Sequence, residues 1–214
     1  CYSFHHTKTF SAGEGGALLV NDPADVRRAE ILHEKGTNRS AFLRGEVDKY
    51  TWVDLGSSYV MSELNAAVLG AQLAARETIV AARRRLWSAY GTAFAALLAS
   101  GRLQGPVIPA DNEVNHHLYY LVFATAAEAE AFRAFARARR IGTAFHYVPL
   151  HTSPMGRALA EPRRLPVTES VAPRLVRLPL YPSLSEAAQA RVIECVHAFC
   201  RATPARAAAL AACA

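Results

Sequence analysis

The sequence predicts an α/β fold, and three patterns in its 214 residues indicate this class. Short apolar runs bounded by Gly, Pro, Asn or Asp are typical of buried strands. Longer segments with apolar residues about 3.6 positions apart are typical of helices that pack on a core. In the second half of the chain the two kinds of segment alternate, which favours an α/β or α+β module. Because 51% of the residues are apolar, the chain can bury the core of one domain or of two small ones.

The first predicted elements are a buried strand over residues 17–20 and a helix over 23–35. The strand is an apolar run that lies between a glycine cluster and an Asn-Asp-Pro turn. Asp22 can cap the helix, Pro23 suits its first position, and Gly36 follows its end. These residue types begin and end helices.

Residues 37–59 show no clean period, and we predict a structured loop with functional potential. The longest helical pattern follows, with Ser62 as a plausible N-cap and a stop near Gly101. Gly70 and Gly91 make a bend or a break in this helix possible.

A second unit is predicted to alternate a strand over 118–125, a helix over 126–139 and another strand over 143–148. A loop rich in Pro and Arg then covers 151–166, and a short helix covers 167–176.

The end of the chain is predicted to form one more helix. Ser183 and Glu186 have the spacing of a capping box, and apolar spacing continues to about Arg201. The alanine-rich tail from 203 to 214 is expected to fray.

Composition and charge argue against several classes of function. The net charge of +6 suits an anionic partner, but no helix-turn-helix, finger or aromatic-basic pattern accompanies it, so no nucleic-acid partner is expected. Neither a run of 18 uncharged apolar residues nor a leader pattern is present, so neither a membrane span nor secretion is predicted. Since the four cysteines form no CxxC pair, we expect a reduced, cytoplasmic protein without a metal site.

The segment from Ser3 to Gly16, SFHHTKTFSAGEGG, concentrates reactive side chains in a turn-rich stretch ahead of a strand. It contains Lys8, one of only three lysines among 24 basic residues. Arginine cannot replace lysine in imine chemistry, because a guanidinium stays protonated while a partly buried amine can lose its proton and attack a carbonyl. A lone lysine is more often a solvated charge, but a chain so rich in arginine favours a chemical role for Lys8.

Groups that could accompany Lys8 lie in the same segment. Ser3, five residues earlier, could donate its hydroxyl to a phosphate oxygen if the chain turns back. Gly13, Gly15 and Gly16 permit backbone conformations and close approaches that side chains would block. GEGG is not a Walker loop, because it lacks the GK[ST] ending and a preceding strand.

Three separated motifs carry a resemblance to a known family. They are SFHHTKTFSAGEGG, EKGTNRSAFLRGEVDKYTWVDLGSSYVMSELNAA and FHYVPLH, and in this order they resemble the DegT/DnrJ/EryC1/StrS sugar aminotransferases from Ser3 to about residue 200. The resemblance implies a fold-type-I transferase that depends on pyridoxal 5'-phosphate (PLP) and passes an amino group from glutamate to a 4-keto sugar nucleotide. It also implies a homodimer with active sites at the subunit interface.

The resemblance further implies roles for individual residues. Lys8 would condense with the cofactor's aldehyde and then act as acid and base, and Ser3 would bind the cofactor phosphate. Many members carry an asparagine in a GYNYR-like motif that reaches the partner's cofactor phosphate, whereas this chain has Ser58 in GSSYV. The substrate-binding candidates, with a structural or solvated role as the competing interpretation of each, are His146, Tyr147, His151, Arg39, Arg44 and Lys49.

By the same resemblance, the chain divides into four parts. Residues 1–60 would be the end of the PLP-binding large domain, 61–105 a connecting helix region, 106–201 the small C-terminal domain, and 202–214 a frayed tail. Because the first residue is Cys1 and not Met, the chain is interpreted as a fragment. The family's upstream half would supply the aspartate that pairs with the pyridinium nitrogen, so the fragment alone is expected neither to hold PLP tightly nor to turn over.

Two alternatives stay open at this stage. One is an aminotransferase that acts on another keto sugar nucleotide or at C3. The other is a non-catalytic relative kept as a binding module, although the presence of Lys8 argues against it.

Overall fold

The computed structural model describes residues 1–159, 161 and 163–203. The chain divides into two compact units, Cys1–Arg76 and Glu77–Ala214, called unit 1 and unit 2 below. Their boundary lies inside the region 61–105 that the sequence predicts as connecting helices. The predicted tail lies, beyond Thr203, outside the described residues. In the part of the chain that the structure describes, no helix has the length and apolarity to cross a membrane.

Unit 1 begins with a short antiparallel hairpin. Strand β1 (Tyr2–Ser3) pairs with β2 (Gly16–Ala17), with Ser3 opposite Gly16. The buried strand predicted over 17–20 is wrong in extent and burial, because β2 ends at Ala17 and Leu18 is 64% exposed. An apolar run needs a partner strand and a covering layer to be buried, and the described residues supply no partner strand beyond Ala17 and no covering layer.

The first helix confirms its predicted start. Helix α1 (Pro23–His33) is capped by Asp22, whose side chain accepts a hydrogen bond from Ala24 N at 2.9 Å. It ends two residues before the predicted end, because Lys35 and Gly36 both have positive φ. A Cβ on Gly36 would lie 1.8 Å from the carbonyl oxygen of Asp54, so the close approach of these two segments requires glycine.

The predicted loop over 37–59 contains one short helix, α2 (Arg39–Leu43). The long helical pattern then forms two helices, α3 (Glu63–Ala74) and α4 (Arg76–Ala99). Ser62 caps α3 as predicted, by accepting a hydrogen bond from Asn65 N at 3.2 Å. The break falls at Ala75, and neither Gly70 nor Gly91 interrupts the helices.

Unit 2 continues with β3 (Tyr119–Val122) and α5 (Ala126–Ala138). Both elements are predicted, and Thr125 caps α5 by accepting a hydrogen bond from Glu128 N at 3.1 Å. The strand predicted over 143–148 is wrong, since Ala144 alone bridges to Arg177. A single bridge cannot propagate a ladder, so the following residues form an irregular segment.

The segment between 150 and 178 differs most from the prediction. A 3₁₀ turn (Leu150–Thr152) and helix α6 (Pro154–Leu159) lie in the predicted loop. The helix predicted over 167–176 is α7 (Pro166–Val171), followed by a 3₁₀ turn and then β4 (Leu175–Leu178). The pattern missed β4, because a four-residue strand directly after a helix has no turn signal to mark its start.

The last helix, α8 (Glu186–Ala202), ends where the sequence predicts but starts with a different cap. Ser185, and not Ser183, accepts the capping hydrogen bond, from Ala188 N at 3.2 Å. Leu184 is buried, and its N–H donates to Tyr181 O at 2.9 Å. This turn holds Ser183 two residues before the cap Ser185 and prevents the predicted capping box.

The core of unit 2 is aromatic and lies between its sheet and helices. Strands β3 and β4 are antiparallel, with Tyr120 opposite Arg177. Phe132 of α5 stacks on Phe123 at 4.9 Å and meets Phe199 of α8 edge-on at 5.3 Å. The other buried members of the cluster come from α4, α5, β3, β4, α8 and the segments that flank them. Unit 2 therefore encloses its own core.

Candidate functional site

Lys8 lies at the tip of the unit 1 hairpin. Its N–H donates to His5 O at 2.9 Å, which closes the turn, and its side chain is exposed. Within residues 1–159, 161 and 163–203, no group accepts a hydrogen bond from Lys8 Nζ or forms an ion pair with it. The amine is therefore accessible to a carbonyl compound.

Two of the glycines behind Lys8 are required by the hairpin. Gly13 has a φ of 81°, and a Cβ on Gly16 would lie 2.8 Å from Tyr2 O. Ser3 faces Gly16 in the register, and its hydroxyl accepts a long hydrogen bond from His5 N at 3.5 Å. The structure thus holds Ser3 and Lys8 on one hairpin.

A cluster that the sequence argument did not identify lies on the same hairpin. His5 Nε2 lies 3.4 Å from Glu14 Oε1, and potential metal-ligand atoms of His5, His6 and Glu14 lie within 4.8 Å of one another. The cross-strand hydrogen bond from His6 N to Gly13 O places these side chains together. A predicted hairpin with a defined register would have placed these three residues together. The search for metal sites by cysteine spacing could not find them, because the cluster contains no cysteine.

Ser58 lies in another part of unit 1. It bridges to Glu34, and the neighbouring Lys35 N donates to Ser57 O at 3.1 Å. A Cβ on Gly56 would lie 2.1 Å from Gly36 N, so the GSSY segment owes its first residue to close packing. The Ser58 side chain is exposed, and in the described part of the chain no hydrogen bond joins it to the hairpin.

The two arginine candidates of unit 1 bind carboxylates. Arg39 Nη1 donates to Glu34 Oε1 at 3.1 Å, and Arg44 binds both carboxylate oxygens of Glu30, at 2.6 and 3.0 Å. Arg44 Nε also donates to Glu46 at 2.6 Å. In this structure both side chains therefore connect parts of unit 1.

These ion pairs shift the pKa values of their members. Burial of Glu34, which is 9% exposed, opposes ionisation, but hydrogen bonds from Lys35 and Arg39 outweigh it and lower the pKa of the carboxyl group. The hydrogen bonds that Arg44 donates to Glu30 and Glu46 raise the pKa of Arg44, and the same contact lowers the pKa of Glu46. Arg44 and Glu46 therefore remain ionised across the ordinary pH range.

His146 and Tyr147 lie in unit 2, after the bridge at Ala144. Arg177 Nη1 lies 3.1 Å from His146 Nδ1 and donates to the Tyr147 hydroxyl at 3.0 Å. Because a guanidinium only donates, His146 Nδ1 must accept, and the ring proton is on Nε2. The structure joins these two predicted residues through a third that the sequence argument missed. His151, a weaker candidate, binds Glu169 at 3.1 Å.

Comparison of this fold with solved structures defines the class of protein. The aminotransferase TlmJ from Streptoalloteichus hindustanus is 25% identical, covers 95% of this chain and aligns with a TM-score of 0.82. DesV of S. venezuelae is 29% identical, covers 92% and aligns with a TM-score of 0.77. These likenesses confirm the predicted fold class, that of the fold-type-I PLP-dependent transferases.

The family follows from the sequence match. The chain belongs to the DegT/DnrJ/EryC1/StrS aminotransferase family, whose model matches residues 1–197. A curated relative, the "Pleiotropic regulatory protein" of Geobacillus stearothermophilus, is 26% identical over 203 residues. The match covers 94% of this chain but 51% of that relative, 52% of TlmJ and 50% of DesV. The chain thus spans about half the length of these proteins.

Proposed function

We propose that Lys8 carries PLP and that the protein containing this chain transfers an amino group from glutamate to a keto sugar nucleotide. The observation that carries the proposal is the accessible amine of Lys8 on a glycine hairpin, without a partner among the described residues, in a chain of this aminotransferase family. Members of the family depend on PLP. No other lysine of the chain has this setting, because Lys35 binds Glu34 and Lys49 lies in an irregular segment.

The donor groups of unit 1 fit a phosphorylated aldehyde. Lys8 offers an amine for the aldehyde, and Ser3, on the same hairpin, offers a hydroxyl for the phosphate. Ser58 is proposed as a further phosphate donor, toward the cofactor of a second subunit in a homodimer. When bound, PLP supplies an electron sink that stabilises negative charge on the substrate carbon.

The candidate residues of the chain would then have separate roles in proton transfer and in substrate binding. Lys8 Nζ accepts the proton from the carbon that bears the amino group and returns it during transfer, as a general base and acid. His146 and Tyr147 orient the sugar nucleotide through the imidazole Nε2–H and the phenol. Arg39 and Arg44 are proposed to bind the diphosphate, each by exchanging a carboxylate partner for a phosphate oxygen.

The finer proposal concerns the substrate. The three motifs, including the GSSY form, resemble those of the dTDP-4-amino-4,6-dideoxygalactose transaminase. This favours dTDP-4-dehydro-6-deoxyglucose as the amino acceptor. Other keto sugar nucleotides, and transfer at C3, are competing outcomes of the same assay.

A second candidate function is a regulatory role without catalysis. The name of the Geobacillus relative as a regulatory protein favours it. Such a protein would keep the fold but would not need the amine of Lys8. Lys8 therefore discriminates between the two functions.

An amino-transfer assay tests the proposal. The protein that contains this chain is incubated with PLP, glutamate and a panel of keto sugar nucleotides, and 2-oxoglutarate is measured. We expect turnover with the dTDP-4-keto-6-deoxy sugar and a loss of at least about 10³-fold in Lys8→Arg, because arginine cannot form the imine. Lys35→Arg, the matched control, should keep full activity, because arginine keeps the positive charge that pairs with Glu34. Turnover that survives Lys8→Arg would overturn the proposal, and absence of turnover with every sugar would favour the regulatory role.

A further inference from the structure

Arg177 lies in strand β4 between two buried residues. In β4, Val176 and Leu178 point into the core of unit 2, so strand alternation places Arg177 on the opposite face. Its backbone is fixed on both sides, by the register with Tyr120 and by two hydrogen bonds with Ala144, at 2.7 and 3.2 Å. The side chain therefore projects from a rigid position.

Arg177 has no carboxylate partner in the part of the chain that the structure describes. Its two side-chain contacts, to His146 and Tyr147, both use Nη1. Among the described residues, none accepts a hydrogen bond from its Nη2 or Nε, and no carboxylate pairs with it. Nη2 and Nε form the edge of a guanidinium that binds two oxygens of a phosphate or carboxylate at once.

A cavity of about 240 Å³ borders this arginine. Arg83 contacts two residues of its lining, since Nη1 of Arg83 donates to His117 O at 2.9 Å and to Leu180 O at 3.3 Å. Arg83 is 6% exposed, and burial lowers its pKa, but a guanidinium still remains protonated. The lining residues are His117, Leu118, Gly142, Thr143, Ala144, Arg177, Leu178, Pro179 and Leu180.

The guanidinium of Arg177, which has no carboxylate partner in the described residues, thus lines this cavity, and the buried guanidinium of Arg83 binds carbonyl oxygens of two other lining residues. A half-buried positive charge is stabilised most by an anion that it binds through two hydrogen bonds. The volume suits one anionic group, and it is smaller than the roughly 300–1,000 Å³ of pockets that enclose whole ligands.

We propose that this cavity binds an anionic oxygen group of the substrate, a diphosphate or a carboxylate, and that Arg177 is the residue that holds it. The same side chain positions His146 and Tyr147, so that Arg177 would contact the anion and both of these residues. The assignment of the anion to the substrate rests on the proposed function, whereas the anion site itself does not.

Binding by the full 214-residue chain tests the inference. Titrations with dTDP and, separately, with glutamate are followed by NMR chemical shifts in native protein and in Arg177→Met. We expect Arg177→Met to weaken binding of one probe about tenfold, the usual effect of losing a charge-assisted bidentate contact. Weaker dTDP binding identifies the diphosphate as the ligand, and weaker glutamate binding identifies the carboxylate. Arg177→Lys should show a smaller loss, because it keeps the charge but not the planar pair of donors.

Arg201→Met is the matched control. It removes the same charge from an exposed arginine of unit 2 that binds Glu194 at 2.6 Å. Thermal melting of each variant checks the fold, and Arg177→Lys carries the test if Arg177→Met does not fold. Equal affinities in native protein and both Arg177 variants would overturn the inference, as would an equal loss in Arg201→Met or no binding of either probe.

The two proposals fail in different ways. Loss of amino transfer in Lys8→Arg with no effect of Arg177 on binding removes only the anion site. An effect of Arg177 on binding, in a protein without amino transfer, removes only the proposed function.

Discussion

Unit 1 and unit 2 differ in where they place their apolar side chains. In residues 1–76, all of which the structure describes, the buried residues are Ala12, Glu34 and Gly36. Large apolar side chains such as Leu55 and Leu64 stay exposed there. Unit 2 instead buries a continuous aromatic and aliphatic cluster from five secondary-structure elements and the segments beside them. Unit 2 thus has the means to be stable by itself, while unit 1 has an apolar surface that further polypeptide would have to cover.

The chemistry is distributed in the opposite way. All three lysines, Lys8, Lys35 and Lys49, lie in unit 1, whereas 16 of the 21 arginines lie in unit 2. Imine formation is therefore possible only in unit 1, and unit 2 offers charge and hydrogen-bond donors. The comparison teaches that stability and covalent chemistry depend on different parts of this chain.

The largest expected effect is on the core of unit 2. Phe132→Ala removes a ring that packs on Phe123 and Phe199, and it should lower the free energy of unfolding by about 3–5 kcal/mol. Urea unfolding followed by fluorescence of Trp87, which packs on this core, measures the change once Trp52 is replaced by Phe. A loss below about 1 kcal/mol would mean that unit 2 does not depend on this core.

A smaller effect is expected from one buried hydroxyl. Tyr90 donates to Pro179 O at 2.8 Å, and Tyr90→Phe should lower the free energy of unfolding by about 1–2 kcal/mol. Burial raises the pKa of Tyr90 above its ordinary value of 10, so its stabilising effect is complete below pH 10 and is lost as the pH rises further. The difference between native and variant should shrink in alkaline solution, and a difference that stays constant to pH 11 would contradict the assignment.

In unit 1 the corresponding prediction concerns a carboxyl group, Glu34, whose contribution to stability is lost at low pH. Glu34→Gln removes the partner of Lys35 and Arg39 and should cost about 1 kcal/mol, a low value because both cations are half exposed. The lowered pKa of Glu34 means that its effect is present above pH 4.5 and is lost as the pH falls below that value. Melting temperatures of native and variant protein, measured between pH 7 and pH 3, should converge. Parallel curves would show that the ion pairs do not stabilise unit 1.

The smallest effect is expected on the exposed face of unit 1. Leu64 is 81% exposed, so Leu64→Ala should change the free energy of unfolding of the 214-residue chain by less than about 0.5 kcal/mol. A urea titration of protein that keeps Trp52, with Trp87 replaced by Phe so that Trp52 is the reporter, measures it. A loss of 2 kcal/mol or more would show that Leu64 is buried and would remove the contrast between the units.

Local signals predicted the helices better than the strands. Asp22, Ser62 and Thr125 cap helices through contacts between near neighbours, which a sequence pattern contains. Strand β4 and the single bridge at Ala144 depend on partners far along the chain, so a local pattern could not place them. The capping box at Ser183 was wrong because the burial of Leu184 decides where the helix begins.

For the candidate site, too, the sequence predicts local features but not contacts between distant residues. The scarcity of lysine points to Lys8, and the turn that carries it is local. Arg177 could have been noticed from the alternation in the sequence RLVRLPL, but its contacts with His146 and Tyr147 require the tertiary fold. Sequence alone also could not show that Arg39 and Arg44 bind carboxylates.

The most direct test of the central claim is to identify the lysine that carries PLP. The protein that contains this chain is incubated with PLP and reduced with borohydride, and the peptides of residues 1–76 are examined by mass spectrometry. We predict a reduced pyridoxyl adduct on Lys8, with Lys35 and Lys49 unmodified. A label on Lys35 or Lys49 with Lys8 unmodified, or equal labelling of all three, would contradict the account.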